Sequence, residues 1–337
     1  MCGIIAYKGH RNAVEIVLNG LKSLEYRGYD SWGVVAKYDS KLFLKKDVGK
    51  IGTVSDIGMK PTAVAVGHTR WATTGAVTVS NAHPHLSCDC KIAVVHNGIV
   101  ENYQELRREL EKEGFSFSSE TDTEVIPNLV QYFMSKGKSF VDASRNALLK
   151  LEGSFAVVIL HAEHNELFVA RCSSPLVVGL GKNEILVASD VPAILPYTNK
   201  VIYLDEDEYA VLGDTVEIFT LKDNKEVKKS PITIKWGVEQ AKKGNYPHFM
   251  LKEICEQKYT IPRAVSQDPK LLAEVVSTIK RSCGIFFVGC GTSYHACVSA
   301  SYIFSKVAKK HVNVCLLYTS DAADEGLGVD LGGRRII

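Results

Sequence analysis

The chain has 337 residues, of which 46% are hydrophobic, 23% charged and 9% aromatic, and its formal net charge is +2. This length exceeds the usual single domain and the apolar share can fill a sizeable core, so two globular domains are expected. The near-neutral balance argues against a nucleic-acid footprint or an acidic tail, and no apolar run is long enough to span a membrane.

The first residues, Met1-Cys2-Gly3-Ile4-Ile5, lack a basic segment followed by a long apolar one, so a cytoplasmic protein with reduced thiols is expected. A small residue after Met1 allows methionine removal, which leaves Cys2 with a thiol beside a free α-amino group. With a reference pKa of about 7.7–8.0, that amine is partly unprotonated near neutral pH and can take the thiol proton without a histidine. An ordinary thiol on a frayed terminus is the alternative at this point.

Residues 3–7 read as a strand, and Val14, Ile16, Val17, Leu18, Leu21 and Leu24 recur at helical spacing until Arg27-Gly28 interrupts them. Strands are predicted around 34–36, 42–44, 63–66 and 92–95, and helices over 103–113, 124–134 and 140–151. Strands dominate again from Phe155 to about Ile218, and a charged stretch, 222–229, closes the first domain. Helices lying between two groups of strands predict α+β layers rather than a βαβ repeat. A linker is expected over 236–245, then a helical arm. Beyond it, a helix over 271–279, a buried strand over 284–289, a Gly-Thr-Ser turn and a further helix read as the opening of a doubly wound α/β domain. Residues 315–337 resemble the translation of a sequencing-library adapter and are expected to be non-native; a natural Gly-rich tail is the rival reading.

The nine cysteines show no paired C-x-x-C spacing, and the lone Cys88-Asp89-Cys90 is weak as a metal motif. No metal or cofactor is expected. Four other clusters carry chemistry. Asn97-Gly98 follows the apolar run at 92–95, so an amide side chain and the next backbone N–H can point at one developing oxyanion from a strand end; a plain turn is the alternative. Arg70, beside Trp71, suits bidentate gripping of a carboxylate against an aromatic wall, or a surface salt bridge. Asp122, between Thr121 and Thr123, can bind an ammonium or cap the following helix. His83 and His85, in Asn81-Ala82-His83-Pro84-His85, read as hydrogen-bonded scaffolding. A thiol with its own amine, an oxyanion hole, a cationic anchor and an anionic anchor together describe a site for glutamine or asparagine.

On these motifs the chain resembles the glutaminase half of the isomerising glutamine:fructose-6-phosphate amidotransferases, over residues 2 to about 314. The resemblance implies a four-layer αββα sandwich of the N-terminal nucleophile type over 2–235, a linker and arm over 236–270, and the start of an α/β sugar-isomerase domain over 271–314. It implies Cys2 as nucleophile with its own amine as base, and Asn97 and Gly98 as the oxyanion hole. Arg70 would hold the glutamine carboxylate and Asp122 its amino group. Trp71 and Thr73 would line the pocket, while Arg27 and Tyr29 would organise or close loops over the thiol. Thr292 and Ser293, in Gly289-Cys290-Gly291-Thr292-Ser293-Tyr294, match part of a sugar-phosphate site at a helix N-terminus. The chain departs from the family at Thr74, where histidine is usual, and at Lys258, where proline is usual. The expected substrates are glutamine and, in a homodimeric full-length parent, fructose 6-phosphate. Another class II amidotransferase and a non-catalytic phosphosugar-binding module are the competing readings.

Overall fold

The computed structural model describes residues 2–52, 54–235, 246 and 249–316. These fall in two compact units, Met1–Asn245 and Tyr246–Ile337. Met1, the linker expected at 236–245 and the tail beyond Leu316 lie outside the described residues.

In β1 (Gly3–Gly9), Ile4 and Ala6 point to one side and Ile5 and Tyr7 to the other, and all four are fully buried. A strand that is apolar on both faces has to be covered on both. It is followed by α1 (Ala13–Ser23), whose start is capped by the Asn12 side chain accepting from the Val14 N–H. Next come β2 (Ser31–Tyr38), β3 (Lys41–Val48), β4 (Val64–Arg70), β5 (His85–Leu86) and β6 (Ile92–Val100). The helices α2 (Tyr103–Lys112), α3 (Val125–Ser135) and α4 (Phe140–Leu148) follow. The unit is completed by β7 (Gly153–His161), β8 (Leu167–Cys172), β9 (Val177–Gly181), β10 (Glu184–Ala188), β11 (Lys200–Tyr203), β12 (Glu208–Leu212), β13 (Val216–Thr220) and β14 (Ile232–Thr233).

These strands form two antiparallel sheets, ordered β14-β11-β9-β10-β1-β4-β2-β3 and β13-β12-β8-β7-β6-β5. Between them lies a core that includes Ile4, Val66, Val95, Val158 and Leu160. The outer face of the first sheet packs Ile5 and Tyr7 against Val17 and Leu21 of α1, and that of the second packs Ile92 and Ile159 against Leu106, Ile126 and Ala147 of α2, α3 and α4. Four layers, αββα, result. The two-residue strands β5 and β14 and the four-residue β11 were not expected, because so few residues carry no readable alternation.

β6 departs from expectation in a way that matters. It runs on past the apolar stretch to Val100, so Asn97 and Gly98 lie inside the strand, opposite Ala156 and Phe155 of β7, and not at its end.

In the second unit, α5 (Phe249–Val265) continues through Lys258, so the departure from proline there leaves the arm helical, and Pro262 is accommodated within it. Then α6 (Pro269–Arg281), begun by an Asp268 cap, leads to β15 (Phe286–Gly289), α7 (Gly291–Ile303) and β16 (Asn313–Leu316). β15 and β16 pair in parallel, Val288 opposite Cys315 and Gly289 opposite Leu316, which makes a βαβ unit. The last two residues of β16 reach into the stretch expected to be non-native. No helix among the described residues is long and apolar enough to cross a membrane.

Candidate active site

Cys2 stands just before β1, and because Gly3 pairs with Thr69 of β4, the thiol is carried to the end of β4 where Arg70 and Trp71 lie. The Trp71 N–H donates to Cys2 Sγ at 3.2 Å. The Cys2 carbonyl is held from two directions, accepting from Arg27 Nε at 3.0 Å and from Asn97 Nδ2 at 3.1 Å. Arg27 is itself fixed by an ion pair with Asp190 at 3.2 Å, and the Tyr26 hydroxyl donates to the same carboxylate. Burial pushes the Cys2 thiol above its ordinary pKa, opposed by the Trp71 N–H and by the charges of Arg70 and Arg27. At rest the sulfur therefore keeps its proton, and it needs a base to lose it.

Gly98 has φ +134, and a Cβ there would meet Ser154 O at 2.0 Å. Only glycine lets β6 approach β7 this closely on such a backbone. Asp122 Oδ2 accepts from the Val100 N–H at 2.8 Å, so its carboxylate is tied to the end of β6 and does not cap α3, and Glu124, the residue just before that helix, accepts from Ser118 and Ser119.

Arg70 is buried, and its guanidinium donates to the carbonyls of Thr74, Gly75 and Ala76 (3.2 Å for Ala76). It is thus no surface salt bridge. Thr74 takes part through its backbone, which the replacement of histidine leaves intact. Burial lowers the Arg70 pKa, opposed by Cys2, Asp122 and Asp30. Trp71 is 43% exposed, with its ring edge-on to Tyr29 at 5.4 Å, and Lys50 lies over the Tyr29 ring.

Cys2, Arg70, Trp71, Thr73, Gly98 and Asp122 line one cavity, joined by Thr74, His83, His96 and Thr123. At about 20 Å³ it holds roughly one water molecule, so an amino acid enters only if the wall widens. His83 belongs to the wall as well as to the scaffold: its ring stacks on His68 at 4.2 Å, while His85 Nε2 meets Thr121 Oγ1 at 2.9 Å. Two features were missed in the sequence. Asp190 follows β10, far along the chain, with nothing nearby to mark it. His68, two residues before Arg70, was given no role. Thr292 and Ser293 sit in the first turn of α7, in the second unit.

Cys2, Gly98, Arg70 and Asp122 thus share one cavity, and the Asn97 amide holds the Cys2 carbonyl. The chain belongs to the glutamine amidotransferase domain family, which it matches over residues 52–260, a span that takes in Arg70, Asn97, Gly98 and Asp122. It is 46% identical to a glutamine–fructose-6-phosphate aminotransferase (isomerizing) from Pyrococcus horikoshii, over 93% of this chain and 53% of that protein. The enzyme of the same name from Thermococcus kodakarensis is likewise 46% identical, over 92% of this chain and 52% of its own. The chain thus spans about half the length of the curated relatives it matches. Among solved structures it is similar to a glutamine phosphoribosylpyrophosphate amidotransferase from B. subtilis, with a TM-score of 0.58 and 21% identity over 93% of this chain and 65% of that one. That likeness establishes the shared N-terminal nucleophile fold.

Proposed function

We propose that this chain is the glutaminase part of an enzyme that makes glucosamine 6-phosphate from fructose 6-phosphate and glutamine. The observation that carries the reading is the double hold on the Cys2 carbonyl by Arg27 and Asn97, with Cys2 lining one cavity together with Arg70 and Asp122.

Once Met1 is removed, the α-amine of Cys2 takes the thiol proton, and Sγ attacks the carboxamide carbon of glutamine. The C–O π electrons move to oxygen, where the Asn97 amide and the Gly98 N–H stabilise the oxyanion. The amine returns its proton to the leaving nitrogen, the C–N bond breaks, and ammonia departs from a γ-glutamyl thioester. Water, deprotonated by the same amine, then attacks the thioester; the C–S bond breaks, its electron pair stays on sulfur, the ammonium returns the proton to that sulfur, and glutamate leaves. Arg70 pairs with the substrate carboxylate and Asp122 with its ammonium. Trp71 and Thr73 form the pocket wall, and Tyr29 closes against Trp71.

In the full-length parent, taken as a cytoplasmic homodimer, the ammonia passes to fructose 6-phosphate bound by an isomerase domain. The β15–α7–β16 unit supports this, since Thr292 and Ser293 stand at a helix N-terminus suited to part of a phosphate site. All nine cysteines are unpaired, in keeping with a reducing compartment. Glutamate release from glutamine by the purified chain, beside Cys2→Ala, tests the reading. Release abolished in the variant supports it. No release from a sample whose intact mass shows a free Cys2 terminus refutes an active glutaminase, and fructose 6-phosphate binding without glutamine binding favours a phosphosugar module.

A further inference from the structure

Resting on that reading of Cys2 and Asn97, we propose that His68 is a positioning residue that sets which way the Asn97 amide faces, and so presents its NH2 group as the oxyanion donor. His68 lies in β4, between Ile4 of β1 and Gly33 of β2, and its ring crosses to the second sheet. There Nε2 stands 3.0 Å from His96 O and 3.1 Å from Asn97 Oδ1.

The assignment follows from donor chemistry. A peptide carbonyl has no proton to give, so the Asn97 group that meets Cys2 O must be the NH2, and the group that meets His68 must be the oxygen. Nε2 then faces two oxygens and has to carry the proton. Nδ1 is left bare, and it has no partner among the described residues. The ring is fully buried and is held flat against His83, with 4.2 Å between centroids. Burial pushes its pKa down to about 3, so it stays the neutral donor throughout the working range. Flipping the Asn97 amide would set oxygen against Cys2 O and NH2 against the Nε2–H, two mismatches at once. Of the two amide protons, one is used on Cys2 O and the second remains for the substrate oxygen. His68 touches neither substrate nor thiol; it acts through Asn97.

The test compares native chain, His68→Ala, His68→Gln and His68→Asn, each first shown to be folded by thermal unfolding. Glutamine hydrolysis is followed alongside alkylation of Cys2 by iodoacetamide, which needs no oxyanion hole. His68→Ala should lose about 10- to 100-fold in kcat, with KM and the alkylation rate within about threefold of native. His68→Gln, whose amide nitrogen reaches near the Nε2 position, should regain most of the loss, and the shorter His68→Asn should not. In an Asn97→Ala background, His68→Ala should cost nothing further. Unchanged kcat in folded His68→Ala, or an equal loss in the Asn97→Ala background, overturns the proposal, as does a matching fall in alkylation. If His68→Ala does not fold, the Gln and Asn variants decide, and equal kcat for both overturns it. Side-chain 15N shifts of His68 give a readout independent of turnover: a protonated Nε2 with bare Nδ1 is expected, and the opposite tautomer overturns the assignment. Absence of glutamate release by the native chain would instead refute the glutaminase reading, leaving the tautomer to judge the orientation of Asn97.

Discussion

The backbone N–H of Trp71 donates to the sulfur of Cys2 at 3.2 Å, so the thiol is steadied by the main chain of a residue that lines the same cavity. These two roles separate under substitution. Trp71→Ala keeps the N–H and loses the ring and its edge-on contact with Tyr29, a pair worth about 0.5–1.5 kcal/mol. The expected outcome is a glutamine KM raised about 2- to 10-fold, with the rate of Cys2 alkylation unchanged. A fall in alkylation would show that the ring also positions the thiol.

Gly98 tolerates no side chain. A Cβ would sit 2.0 Å from Ser154 O on backbone already at φ +134, so Gly98→Ala must shift β6 against β7. Losing one oxyanion donor costs about 10²–10³ in kcat. A loss of that order is expected, together with a lower melting temperature, and steady-state kinetics beside thermal unfolding measures both.

Arg70 spends three of its five N–H donors on the carbonyls of Thr74, Gly75 and Ala76, which fixes the guanidinium and leaves two donors for a substrate carboxylate. Lysine cannot reproduce the planar fork. Arg70→Lys should raise KM for glutamine about 10- to 100-fold and leave the 74–76 loop with faster amide hydrogen exchange. Unaltered KM would remove Arg70 from substrate binding.

Four buried imidazoles surround the site. Burial pushes His68 down to about 3 and holds His83, His85 and His96 below their ordinary pKa as well; His161, near the other end of the second sheet, is pushed down to about 4. Unfolded histidine titrates near 6.5, so below that pH the unfolded chain binds protons that the folded one refuses. Stability is therefore complete above about pH 6.5 and is lost as pH falls toward the folded values. Each such ring contributes about 1.4 kcal/mol per pH unit in that window. Urea midpoints at pH 7.5 and 5.5 should differ clearly, the acid sample being weaker; equal midpoints would mean that the folded rings accept protons.

Much of the site was legible in the sequence because it is built from short, chemically uncommon clusters. Cys2, the Arg70-Trp71 pair, Asn97-Gly98 and Asp122 could each be given a chemical role from residue type and neighbours, short apolar runs marked β1 and β6, and helical patterns marked α1 and α3. What the pattern lacked was reach. The apolar run at 92–95 suggested a strand ending before Asn97, whereas pairing with β7 carries β6 to Val100 and places the amide inside a sheet. Asp122 was as compatible with a helix cap as with a ligand, until the Val100 N–H claimed it.

The sequence by itself pointed to the family, to Cys2 and to the layers, since these follow from local chemistry and from where apolar runs and helical patterns fall along the chain. The tertiary structure alone decided how Cys2 is aimed. Its carbonyl meets Arg27 from 25 residues away and Asn97 from 95 residues away, and Arg27 depends on Asp190, 163 residues further on. The same holds for His68, which has no marked role along β4 until the second sheet sets His96 O and Asn97 Oδ1 against its ring. Hydrogen bonds across two sheets are fixed by strand order and register, and these emerge only when both faces of β1 are buried at once.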